Sequence, residues 1–148
     1  MEMMIPRDPI EFLLCLYLKA RSHPFNNSEW SMCGQKLLTS HGLRSLSPDH
    51  PDYAGHYVGN GAERDRVYHQ GTVWGWLLGA FALAHLRVYS NPAQAQKLLE
   101  PLVNYHTTHR LGNLSEISDG DAPMTARSWI APAWTVAEVS RVWLAIED

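Results

Sequence analysis

The stretch from Thr72 to Tyr89 reads TVWGWLLGAFALAHLRVY, and it decides the expected fold. Up to Ala84 nearly every residue is apolar, without the alternation of a half-buried strand. A helix that is apolar all round has to be covered on all sides, so this stretch predicts a helix in the interior. The flanking sequence supplies the helices to cover it. Asn91-Pro92-Ala93-Gln94 combines an N-cap, a first-turn proline and a box partner, and opens a helix that runs to about His109. Pro101 marks a kink in it and Gly112 its end. Upstream, Asp8-Pro9-Ile10-Glu11 opens a first helix that Pro24 stops near His23. Asn27 or Ser28 caps a second, with Trp30, Cys33, Leu37 and Leu38 on one stripe and Gly42 at its left-handed C-terminal position. A last helix covers Ala131 to Ile146, with Trp134, Ala137, Val142 and Trp143 as packing positions. With no convincing strand alternation, the expected fold class is all-α: about five helices in helical hairpins. Two long loops, residues 43–70 and 113–128, are the expected working elements.

At 148 residues the chain fits a single domain, 1–148, large enough for a real core. Net charge is −3 with Lys and Arg scattered, which argues against a nucleic-acid partner. The apolar run from Phe12 to Leu18 is too short to span a bilayer, and the start lacks the order of a secretory signal. The expectation is a cytoplasmic protein with no membrane partner. Cys15 and Cys33 form no CxxC pair and read as buried free thiols, with a disulfide between neighbouring helices left open.

Two clusters could carry chemistry. Ser115-Glu116-Ile117-Ser118-Asp119-Gly120-Asp121 holds three carboxylates beside a glycine. Spacing alone reads it as a solvated or calcium-like turn, although the EF-hand pattern is absent; the sharper reading makes one carboxylate a general base in glycoside hydrolysis. Tyr68-His69-Gln70-Gly71-Thr72-Val73-Trp74-Gly75-Trp76 joins aromatics that can stack on a sugar to groups that can bond its hydroxyls. Such aromatics are also ordinary core: Trp76 reads as core and Trp74 stays open. His106 and His109 make no metal signature without a third ligand, and no phosphate loop or nucleophile elbow is present, so neither metal nor cofactor is expected.

Taken together with Leu37 to Pro48 and with Ala131 to Glu138, these clusters resemble, in order and spacing across residues 37–145, the C-terminal part of the glycogen debranching enzyme (amylo-alpha-1,6-glucosidase) family of bacteria and archaea. Gly75 stands where that family usually has proline, Ser118 where it has an aromatic residue, and Pro132 where it has glutamine. The resemblance implies part of an (α/α)6 barrel that hydrolyses α-1,6-glucosidic branch linkages of glycogen-like glucans with inversion. By it, Glu116 is the general base, His69, Gln70 and Trp74 line the glucose subsite, and Asp119 and Asp121 shape the loop or bond sugar hydroxyls. The family's acid carboxylate lies upstream of the matched residues. The resemblance therefore also implies a fragment that self-associates or joins a chain carrying the rest of the barrel. The alternative is a non-catalytic glucan-binding or interaction module derived from it.

Overall fold

The computed structural model of the chain describes residues 27–108, 115–130 and 133–147. The first expected helix, Cys15, His109, Gly112 and Pro132 lie outside those residues. The elements run α1 (Asn27–Leu37), β1 (Leu38–Thr39), β2 (Gly42–Arg44), α2 (Gly61–Val67), β3 (Val73–Trp74), α3 (Leu77–Tyr89), α4 (Pro92–Thr108), β4 (Ser115–Ser118), β5 (Ala126–Ile130) and α5 (Ala133–Glu147).

The apolar stretch does become the interior helix. In α3, Leu77, Leu78, Ala80, Phe81, Ala82, Ala84 and His85 are all buried, and the helix packs against α1, α4, α5 and β2. It ends at Ser90, which takes the left-handed conformation (φ 49°) and donates its amide to the Leu86 carbonyl. Asn91 caps α4 through a 3.0 Å bond from the Gln94 amide to its side-chain oxygen, and α4 continues through Pro101. On α5 the buried stripe is Thr135, Val139, Val142 and Ile146, at helical spacing. Val142 was an expected packing position, but Trp134 is 54% exposed and Ala137 points outward.

The all-α expectation is overturned, and with it the expectation of a barrel piece built from helical hairpins. Five strands form one antiparallel sheet in the order β1-β2-β3-β4-β5, so the chain is a mixed α and β structure. The strands come from the end of the predicted second helix, which stops at Leu37 and gives β1, from the two supposed loops, and from the start of the predicted interior helix: Val73 and Trp74 pair with neighbours, and the helix begins only at Leu77. The physical cause is backbone accounting. Leu43, Val73, Trp74 and Ile117 are buried, where each N–H and C=O requires a partner, and neighbouring segments supply it by pairing as strands. Leu43, Trp74 and Ile117 stand side by side across three strands and are buried together with the helices. Gly42 does not end a helix. It lies at the β1–β2 turn with φ 142°, where a side chain would overlap the Trp74 carbonyl. The first long loop also contains a helix, α2, capped by a reciprocal box between Asn60 and Glu63.

Among the described residues no helix is long and apolar enough to cross a membrane.

Candidate functional site

Glu116 sits in the middle of β4 and is only 6% exposed. Two hydroxyls hold its carboxylate. Tyr68, at the end of α2, donates its phenol, and Ser128 on β5 donates its Oγ to Oε2 in a very short bond. Ser128 reaches it because β5 carries an extra residue there. The pairings Ser115↔Ile130 and Ile117↔Arg127 leave one more residue on β5 than on β4, and Ser128 takes a positive φ of 61°. A bulge of this kind turns a side chain out of its regular register. Burial, and then the hydrogen bond to Glu116, push the Tyr68 phenol well above its ordinary 10.0.

Tyr68 also connects Glu116 to the other cluster. Its ring meets Trp74 edge-on at 4.9 Å between centroids and His69 at 4.7 Å, while His69 and Trp74 stack at 5.3 Å with planes 17° apart. The indole is fixed at its polar end, since Trp74 Nε1 donates to Thr72 Oγ1 at 3.0 Å and that hydroxyl donates to the Tyr68 carbonyl at 2.6 Å. At 8% exposure Trp74 belongs to the core while its ring borders Tyr68 and His69. Gln70 is half-buried, and its carbonyl accepts the Ala54 amide at 2.6 Å. The structure thus brings Glu116, His69 and Trp74 around one residue, Tyr68.

Asp119 and Asp121 follow on the same hairpin with a different set of partners. Asp119 is 1% exposed, and Arg127 grips both of its oxygens with bonds of 2.8 to 3.2 Å. The Tyr57 amide donates to it at 2.8 Å and His56 lies 3.5 Å away. Burial alone would raise its carboxyl, but Arg127, the Tyr57 amide and His56 outweigh burial and hold it below the ordinary carboxylate range. Asp121 accepts the Tyr53 hydroxyl at 2.9 Å, and its own amide donates to the Gly55 carbonyl at 3.0 Å.

Three contributors escape sequence reasoning. Tyr68 stands in the quoted motif, yet nothing about its position tells a phenol that bonds a carboxylate from one that fills space. Ser128 and Arg127 depend on the register of β4 and β5, strands of four and five residues that are too short to announce it. Chemically, the two buried carboxylates are unlike: Asp119 is paired with the Arg127 guanidinium, whereas the partners of Glu116 are hydroxyls. A buried carboxylate oriented by hydroxyls next to aromatic rings has the geometry of a proton acceptor. Among the described residues no group of three or more His, Cys, Asp or Glu is placed to hold a metal ion.

No curated protein matches the chain. The family described as amylo-alpha-1,6-glucosidase matches residues 14–141, a span that contains Glu116, Tyr68, His69, Trp74 and Ser128. The chain therefore belongs to the amylo-alpha-1,6-glucosidase family, a glycogen-debranching group of glycoside hydrolases.

Proposed function

We propose that the chain contributes the general base for hydrolysis of α-1,6-glucosidic branch linkages in a glycogen-like glucan, with inversion at the anomeric carbon. The observation that carries this reading is Glu116 itself, buried, held by the Tyr68 and Ser128 hydroxyls, and adjoining the His69–Trp74 pair through Tyr68. In an inverting reaction one carboxylate draws a proton from water as that water attacks the sugar. A second carboxyl group, about 6.5–9.5 Å away, protonates the departing oxygen. Glu116 takes the first role. His69, Gln70 and Trp74 line the subsite for the glucosyl unit, ring against its apolar face and polar atoms against its hydroxyls. Asp119 and Asp121 shape the hairpin, a role their bonds to Arg127, Tyr57 and Tyr53 support.

A substrate whose leaving group needs no acid isolates the base. Fluoride departs without protonation, so α-glucosyl fluoride should be hydrolysed by the purified chain. Glu116→Gln should slow fluoride release about 10²–10⁴-fold, the usual worth of a positioned base. Limit dextrin is the companion substrate, because its α-1,6 branch requires the acid as well. Saturable limit-dextrin binding with no fluoride release from the model substrate would overturn the base assignment and leave a glucan-binding module.

A further inference from the structure

The Asp119–Arg127 pair raises a question that the base assignment leaves unanswered. Burying an ion pair contributes little net stability, because desolvation offsets the attraction. Its hydrogen bonds show what it accomplishes here. Asp119 accepts the Tyr57 amide at 2.8 Å, Asp121 accepts the Tyr53 hydroxyl at 2.9 Å, and the Asp121 amide donates to the Gly55 carbonyl at 3.0 Å. Residues 53, 55 and 57 are therefore tied, one after another, to the hairpin that carries Glu116. Past Tyr57 the ties end. Val58 is 52% exposed, and α2 buries none of its residues.

Tyr57 is the last anchored residue before an exposed excursion, and its ring is held as well as its backbone. It lies 5.8 Å from the Tyr68 ring, tilted by 49°, and the Arg64 guanidinium reaches back from α2 to 6.0 Å from its centroid. The ring stays half-buried, so part of it remains open to solvent. An aromatic ring tilted against a neighbour, steadied by a cation and left partly open is suited to the apolar face of a sugar. Tyr68 contacts both Tyr57 and Glu116, which puts this ring one residue removed from the carboxylate.

We propose that Tyr57 is a sugar-contacting residue for the α-glucan unit that adjoins the one served by Glu116, with Asp119, Asp121 and Arg64 as the residues that position it. This rests on the functional reading above, because the ligand is the same glucan. Chain recognition beyond a single glucose thus depends on the segment 53–57 as well as on the Tyr68–Trp74 motif.

The test is calorimetric titration of the whole chain with panose, a trisaccharide with an α-1,6 and an α-1,4 link, alongside thermal melting of each variant. Tyr57→Phe keeps the ring and should bind within about twofold of the parent. Tyr57→Ala should bind about tenfold more weakly, as truncation of a contacting tyrosine does, with its melting unchanged. Should the alanine variant unfold, Tyr57→Leu fills the space without an aromatic face and should show the same loss. His69→Ala separates the two levels of the account. If it weakens panose while Tyr57→Ala and Tyr57→Leu bind as the parent does, the Tyr57 inference is overturned and the site reading stands. If the parent chain binds no panose, both fall together.

Discussion

Glu116 and Asp119 lie three residues apart on one hairpin, both buried, and their partners set them to different work. Arg127 saturates Asp119, and a carboxylate whose oxygens are taken by a guanidinium is a structural post. Glu116 has a phenol and a hydroxyl, which orient it without supplying a counter-charge. The phenol reports on the arrangement directly. Because Glu116 and burial raise the Tyr68 pKa in the folded chain above 10.0, its contribution to stability is complete below that value and is lost as pH rises toward the folded value. Spectrophotometric alkaline titration should accordingly show Tyr68 ionising later than Tyr53, whose phenol burial and Asp121 also raise. In Tyr68→Phe that late step should vanish, and in Glu116→Gln it should move back toward 10.0. A late step that persists unchanged in Tyr68→Phe would remove the phenol from the site.

At the scale of elements, the site exists because helices and loops meet in a fixed order. Gly79 shows how close the helices come: a methyl group there would lie 2.7 Å from Glu138 Cγ and 3.2 Å from Val142 Cγ2. Gly79→Ala should therefore cost about 1–3 kcal/mol by overpacking, even though alanine favours helices, and chemical denaturation reads the sign. A stabilised variant would mean that α3 and α5 do not pack as described. The interior helix was legible because the apolar run from Val73 to Ala84 alone forced burial, and Asn91-Pro92 announced the next helix. The helix α2 was legible in principle from Asn60 and Glu63 at capping-box spacing, hidden among prolines and glycines that suggested plain loop. The sheet was not legible, for strands of two to five residues are too short to display a period. Glu116, His69 and Trp74 could be picked from their motifs, whereas the bulge that delivers Ser128 is set by pairing between distant residues.

Over the whole molecule, a helical layer carries a small sheet built from connecting segments, and the carboxylates tie those segments into one body. Asp119 joins the β4–β5 hairpin to segment 53–57, so its ionisation should be felt globally. Its folded pKa is depressed, hence the stability it contributes is present above the ordinary carboxylate value of about 4 and is lost as pH falls through the lower folded value. Melting followed from neutral to acid pH should decline across that window, and Asp119→Asn should melt lower at neutral pH with a flatter acid limb. An unaltered acid limb in that variant would show that the tie is not what acid breaks.

The central claim concerns the proton that Glu116 accepts from water attacking the face of the sugar opposite the departing group. Proton NMR of α-glucosyl fluoride hydrolysis, read within the first turnovers before mutarotation, tests it most directly. The account predicts β-glucose as the first product from the parent chain and its loss in Glu116→Gln. Initial release of α-glucose, or β-glucose formed as fast by Glu116→Gln as by the parent, would contradict it.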